Sequence, residues 1–288
     1  MSRTTHEHAR NIHEVRYEVG RADERPLLLT SDWHIDNPKC KRELLFRHLN
    51  EAKDKGALVF CFGDLFCMMQ GKYDKRSDKS DVRPEHAAGN YIDQVINDTA
   101  EVLKPWHDIL FVIGEGNHES SIRRHLETDV LDRFVERVKF MTPSSPICRG
   151  GYGGWVKVTF ERGNDYGRSS TIKYFHGSGG GGPVTKGAIQ QQRHAVIYDG
   201  ADIVYSGHIH ESQSTVFVKE RFVSQKNSII MSEQEHLRGA TYKEEYEDGY
   251  GGFHIEGGRA PKPLGGWWVN YRLVDDAHRL VHDSWRAK

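Results

Sequence analysis

Cysteine is scarce in this chain, with four in 288 residues (Cys40, Cys61, Cys67 and Cys148) and no Cys-x-x-Cys spacing. That excludes a disulfide scaffold and leaves reduced, mostly buried thiols as the expectation. An excess of either charge is also missing. The 40 basic and 41 acidic residues leave a formal net charge of −1, so bulk electrostatics supply no strong nonspecific attraction to nucleic acid or to an anionic membrane. Only a local basic groove remains as a route to nucleic acid. No stretch approaches the roughly 18 consecutive apolar residues of a membrane span, and the opening MSRTTHEHARNIHEV has no signal-peptide core. A soluble, cytoplasmic protein without a membrane partner is expected. Internal repeats and low-complexity linkers are absent too, which favours one large α/β domain over two small ones.

What is present is a chain long enough to bury a substantial core, 37% hydrophobic and 28% charged. Residues 1–25 are polar and read as a loose N-terminal arm or a peripheral strand, leaving 26–288 as the domain proper. Buried strands are expected at 26–30, 57–62 and 109–113, separated by helices over about 40–55 and 86–103. Further strands are expected at 153–161, 170–175, 201–205 and 215–223, with a helix over about 185–198. Segments 71–85 and 231–266 lack apolar periodicity and read as loop insertions. Residues 267–274 and 279–285 read as a closing β-hairpin. Strands alternating with helices at this spacing point to an open sheet with helices packed on it.

Five of these strands run into polar residues able to bind metal. They lead to Ser31-Asp32-Trp33-His34, Gly63-Asp64, Gly116-Asn117-His118-Glu119, His176-Gly177 and Ser206-Gly207-His208-Ile209-His210. Ligands of open α/β sheets converge at the carboxyl ends of strands, and together the clusters offer carboxylate, imidazole and amide groups suited to two divalent cations. A single cluster carries little weight. His6-Glu7-His8 repeats the His-x-His spacing in the polar arm, and Asp276-Ala277-His278 repeats Asp-x-His in a hairpin turn where Asp is favoured for backbone reasons. Asn117 and Glu119 would also suit an ordinary helix start, as cap and as first-turn acid.

The ordered set DxH, GD, GNHE, HG, GHxH, between residues 27 and 211, resembles the calcineurin-like metallophosphoesterase family. Within it, SDWH, GDLF and SGHIHE are most similar to the nuclease subunits of double-strand-break repair complexes. The resemblance implies a four-layer αββα sandwich around a dinuclear metal centre, with manganese the first choice of metal and iron, zinc, nickel or cobalt the others. Carried onto this chain, it implies that Asp32, His34 and His210 hold one metal, that Asp64 bridges both, and that Asn117, His176 and His208 hold the other. His118 is implied as a catalytic residue that faces the substrate. Glu119 departs from the pattern, where Asp is frequent, and that bears on how His118 is oriented.

The function implied is hydrolysis of phosphate esters, with phosphodiesters preferred. A manganese-dependent DNA exonuclease, a phosphomonoesterase and a non-catalytic metal-binding scaffold are the alternatives. The partner is then a phosphate ester, with nucleotide or nucleic acid among the candidates, and the sequence leaves the oligomeric state open. Arg123, Arg124 and Lys186 are candidate substrate contacts, the last beside the glycine run 177–182, which fails the Walker pattern. Against this, the two arginines would equally serve on a solvated helix face, and the glycine run as a plain loop. Tyr242, Tyr246, Tyr250 and Phe253 would either stack on a base or pack on their own sheet.

Overall fold

The three apolar runs at 26–30, 57–62 and 109–113 lie side by side. The computed structural model describes residues 3–20, 23–68, 82–87, 89–163, 165–182, 184–246, 253–274 and 279–288. Strands β3 (Glu24–Thr30), β4 (Leu58–Phe62), β5 (Leu110–Gly114) and the short β6 (Cys148–Arg149) are mutually parallel. The closing hairpin, β12 (Gly266–Val274) and β13 (Arg279–Ala287), pairs antiparallel and adds to the β3 edge, giving a six-stranded sheet of order β13-β12-β3-β4-β5-β6. Its central strands β4 and β5 are buried along their whole length, as expected of parallel strands covered on both faces.

A seven-stranded sheet faces it. β1 (Arg3–Ala9) and β2 (Ile12–Glu18) form a hairpin at one edge, followed by β7 (Gly153–Arg162), β8 (Asp165–Phe175), β9 (Ile203–Ser206), β11 (Ser228–Arg238) and β10 (Gln213–Val223). Leu27, Leu29, Phe60, Phe62 and Phe111 from one sheet pack between the sheets against Val15, Tyr17, Val158, Tyr174 and Leu237 from the other. On the outer face of the six-stranded sheet lie α1 (Arg42–Asp54), α2 (Tyr91–Val102), α3 (Asn117–Leu126) and α4 (Val130–Met141). In α1 the buried residues are Leu45, His48, Leu49 and Ala52, one helical stripe. Asp129 caps α4 by accepting from the backbone N–H groups of Leu131 and Asp132. Helix α5 (Ala188–Ile197) covers the other sheet, where His194 packs on Phe175. The layers are helix, sheet, sheet, helix, with α5 in the last. Among the described residues no helix is long and apolar enough to cross a membrane.

Of the two readings of residues 1–25, the described part takes the peripheral strand: Val15 and Tyr17 are buried on β2, which pairs in parallel with β7 and so extends the sheet. One expectation changes. The segment 231–266 is not a surface loop throughout. Residues 231–238 belong to β11, whose alternating Gln234, His236 and Arg238 are buried polar residues that conceal the strand pattern from a hydrophobicity reading. Residues 71–81 of the other expected insertion lie outside the described residues, as do Asp276 and His278.

Candidate active site

Strands β3, β4 and β5 end at the same edge as β8, β9 and β11, and the chain leaves these ends through abrupt turns. Asp32, His34, Asp64, His208 and His210 all have positive φ, between 46° and 74°. Non-glycine residues adopt this region at a cost of order 1–3 kcal/mol each and concentrate in sites where geometry matters. The β3 and β4 exits run as a pair, with Asp32 N–H donating to Gly63 O at 2.9 Å and His34 N–H to Asp64 O at 3.1 Å. The glycines of GEGNHES serve close approach. A side chain at Gly116 would overlap the Asp64 carboxylate, so only glycine lets α3 begin against that residue.

Two groups of side chains able to hold a metal result: Asp32, His34 and His210, and Asp64, His176 and His208, each with its potential ligand atoms within 4.8 Å of one another. His210 Nε2 lies 3.3 Å from Asp32 Oδ1, and His176 Nε2 lies 3.3 Å from Asp64 Oδ2. Asn117 Oδ1 sits between two histidines of the second group, 3.2 Å from His176 Nε2 and 2.7 Å from His208 Nδ1. The His34 ring packs between those of His210 and His118, at 5.5 and 4.9 Å. His176 Nδ1 donates to Phe62 O at 3.1 Å, leaving Nε2 for the site, the arrangement in which a backbone carbonyl fixes a ligating imidazole.

The electrostatics call for cations. Asp32 and Asp64 are 0% and 2% exposed. Burial pushes the Asp32 carboxyl up, but His210 and His176 outweigh it and hold it at about 2. Asp64 is likewise held well below the usual range against burial, chiefly by His176 and His118. Burial opposes protonation of His176, yet Asp64 and Asp32 raise it to about 10. His34 and His208 are lowered, mainly by burial, and so are neutral imidazoles, the form that binds metal. Both ring nitrogens of His34 are buried with no hydrogen-bond partner. Buried carboxylates beside imidazoles, with the unsatisfied His34 among them, are a donor set that fits divalent cations, and a bound ion would take the place of the proton that Asp64 holds on His176.

His118 lies at the rim of both groups, its Nε2 3.9 Å from Asp64 Oδ2. Its Nδ1 donates to the Cys67 carbonyl at 2.6 Å, which fixes the ring and leaves Nε2 toward the site. Glu119 has a different task. It accepts from the backbone N–H groups of Asp64 (3.2 Å), Phe66 (2.9 Å) and Gly116 (2.9 Å), tying the β4 exit to the start of α3. Burial and the neighbouring Asp64 charge push its carboxyl up to about 8.

The candidate substrate residues separate. Arg123 pairs with Glu115 at 2.8 Å and the exposed Arg124 reaches back to Ser120 O at 3.4 Å. Neither is in the two clusters. Lys186 lines a cavity of about 580 Å³ with Thr185, Gln192 and Glu211, the residue after His210. Tyr242 is fully buried, edge-on to Trp33 and bonded to His48 Nδ1 at 2.9 Å, so it packs in the core. Tyr250 and the Phe253 side chain lie outside the described residues.

Sequence reasoning missed the support behind Asp32. Thr241 Oγ1 and Tyr242 N–H both donate to the Asp32 carbonyl, at 2.9 and 3.0 Å, and Ser31 Oγ donates to its carboxylate at 2.5 Å. It also missed Lys243, 7% exposed and close enough to lower the pKa of His34. The hydroxyl in SDWH was the available signal for Ser31; residues 241–243 gave none.

No family model and no curated protein sequence matches the chain. Among solved structures, a conserved protein from Streptococcus pneumoniae described as a predicted phosphoesterase is 10% identical, with 92% of this chain and 98% of its own covered and a TM-score of 0.32. A Thermotoga maritima protein solved by NMR is 14% identical, with 91% and 99% covered and a TM-score of 0.33.

Proposed function

We propose that this chain is a metal-dependent hydrolase of phosphate esters, and that its substrates are phosphodiesters. The observation that carries the proposal is the meeting of two buried aspartate–histidine clusters at the strand ends, with His118 at their rim. Asp32, His34 and His210 would hold one divalent ion, and Asn117, His176 and His208 the other, with Asp64 shared. Bound there, the ions would neutralise phosphoryl oxygens and supply hydroxide near neutral pH.

The chain's own groups do the rest. Asp32 and Asp64 are pre-oriented by backbone donors: His208 N–H reaches Asp32 Oδ2 at 3.0 Å and His118 N–H reaches Asp64 Oδ1 at 3.0 Å. With its Nδ1 proton committed to Cys67 O, His118 presents Nε2 to the substrate. Protonated there, it stabilises the phosphoryl group and gives a proton to the departing alkoxide, a contribution of about 10² to 10⁴ in rate. Glu119 holds Gly116 and Asp64 at fixed separation, so the helix carrying Asn117 and His118 cannot drift from the carboxylate.

The test is metal content followed by turnover with Mn²⁺ on bis(p-nitrophenyl) phosphate, p-nitrophenyl phosphate, cyclic nucleotides and linear DNA. Two bound ions and faster diester than monoester hydrolysis are expected. Faster monoester hydrolysis makes the chain a phosphatase, and DNA degradation with inert small diesters makes it an exonuclease. Bound metal without hydrolysis leaves a scaffold, and absence of metal binding removes the whole reading.

A further inference from the structure

Two side-chain donors reach the Cys67 sulfur, whereas the Cys148 sulfur has one polar side-chain neighbour, His13 Nδ1 at 3.3 Å. Burial pushes the Cys40 thiol up to about 12 and raises those of Cys61 and Cys148 as well, the behaviour of inert core cysteines. The Cys67 sulfur is also buried, at 1% exposure, but polar donors converge on it: Asn37 Nδ2 at 3.3 Å and Lys243 Nζ at 3.9 Å. Its backbone is pinned on both sides, N–H to Asp36 Oδ1 at 2.6 Å and carbonyl to His118 Nδ1 at 2.6 Å. The sulfur is therefore an oriented acceptor. A ring nitrogen of His34, a ring nitrogen of His118 and the Cys67 sulfur lie within 4.8 Å of one another.

His34 is the independent observation. It is 2% exposed, both of its ring nitrogens lack a hydrogen-bond partner, and it belongs to this trio as well as to the group with Asp32 and His210. An imidazole that ligates through one nitrogen has a second to offer. One buried ring with two unsatisfied nitrogens between two donor clusters is suited to serve both. The clusters differ in softness. Two histidines and a sulfur favour Zn²⁺ or Co²⁺, whereas a carboxylate in place of the sulfur, as in each of the other two clusters, also admits harder ions such as Mn²⁺.

We propose that His34, Cys67 and His118 form a soft-cation site beside the carboxylate-bearing clusters, and that Zn²⁺ bound there inhibits the enzyme by occupying His118. The inhibitory part rests on the proposed phosphoesterase reading; the binding part does not. As Zn²⁺ enters, a Zn–S bond and two Zn–N bonds form, and the Cys67 thiol proton and one His34 ring proton leave to solvent. No electron changes hands. The His118 Nε2 lone pair is then shared with the metal and cannot hold a proton for the leaving group. Lys243 does not forbid a cation here, because Glu245 forms an ion pair with it.

Co²⁺ titration of the metal-free chain tests the site directly. After the carboxylate-bearing clusters fill, a further equivalent should bind with a sulfur-to-cobalt charge-transfer band in the near ultraviolet. Cys67→Ser should lose the band and that equivalent, and Cys148→Ser should keep both. Zn²⁺ added to the Mn²⁺-loaded enzyme should inhibit, and Cys67→Ser, normalised to its own uninhibited rate, should need about tenfold more Zn²⁺ or beyond for the same inhibition. A wild-type chain that fills its other clusters without developing the band overturns the site, as does a band unchanged in Cys67→Ser. A band present with no difference in Zn²⁺ inhibition overturns the inhibitory role alone. Failure of the carboxylate-bearing clusters to bind any ion refutes the phosphoesterase reading instead, so the two failures are distinguishable.

Discussion

The six-stranded sheet brings acid to the site, whereas the seven-stranded sheet brings only imidazole. Asp32 and Asp64 follow β3 and β4, and Asn117, His118 and Glu119 follow β5; from the opposite sheet come His176 after β8 and His208 and His210 after β9. Neither half is sufficient alone. Two buried carboxylates without positive partners are costly to bury, and three histidines on one sheet edge lack the hard oxygen ligands of a dinuclear centre. The sheets are also joined at the site itself, since His208 N–H donates across to Asp32. The difference teaches that the proposed centre is a product of sheet packing: the apolar layer between the sheets sets the distance at which acid meets base.

Replacing one ligand from each sheet gives the largest expected effect. Asp64→Ala should lower turnover to background and remove both metals, because that carboxylate is the one proposed to be shared by both ions. His208→Ala should lose one metal equivalent and keep the other. Metal analysis by mass spectrometry of the two purified variants decides between them. Equal losses would erase the distinction between a shared acid and a private imidazole, and a near-normal rate for Asp64→Ala at saturating Mn²⁺ would remove it from the bridging role.

His118→Ala comes next, because His118 belongs to the acid-bearing sheet and yet is proposed for protons rather than for the metals of these two clusters. Metal content in those clusters should survive while the rate falls about 10² to 10⁴. The fall should be steeper for an alkoxide leaving group than for nitrophenolate, which needs little protonation. Equal falls for the two would leave only electrostatic stabilisation.

Much of this was legible in the sequence. Every residue of the two clusters follows a strand that its apolar run announces, and the Asp-x-His and His-x-His spacings survive because turns of this kind depend on local residues. What was illegible came from polar residues buried on strands and from tertiary contacts. β2 and β11 are strands whose buried faces carry His13, Glu14, Gln234 and Arg238, so hydrophobic alternation does not reveal them. Thr241, Tyr242 and Lys243 reach Asp32 and His34 only because β11 runs parallel to β9 and ends beside it, a tertiary fact with no local signature. The Cys67 environment is similar: its donors come from residues 37 and 243.

Removing the metals should test whether the sheets are coupled through the site. An ion bound at about a hundred times its dissociation constant stabilises a fold by about 2.7 kcal/mol, so two contribute about 5.4 kcal/mol, roughly 10 °C in Tm for a chain of this size. Chelator should lower Tm by that order in the wild type, and by much less in Asp64→Ala. Hydrogen exchange should locate the loosening in the exits of β8 and β9 and in 239–246, with the β4 and β5 interiors protected. A chelator effect of the same size in Asp64→Ala would mean that the stabilising ion sits elsewhere.

The smallest expected effect concerns the two substituents of a diester. Each sheet offers a side, or wall, to the site: the six-stranded side carries His118, and the seven-stranded side carries, beginning at the residue after His210, the cavity of about 580 Å³ lined by Lys186, Ala188, Gln192 and Glu211. A diester places one group toward each wall, whereas a monoester fills one only. Bis-substituted diesters should therefore exceed matched monoesters in kcat/KM by about tenfold, or about 1.4 kcal/mol in transition-state binding. Ala188→Trp, which would fill the cavity without touching a candidate ligand, should reduce that ratio through the diester alone and leave metal content as it was. If the ratio holds in Ala188→Trp, the second wall lies elsewhere, and if monoesters are faster by tenfold in the wild type, the site is a phosphatase with one wall in use.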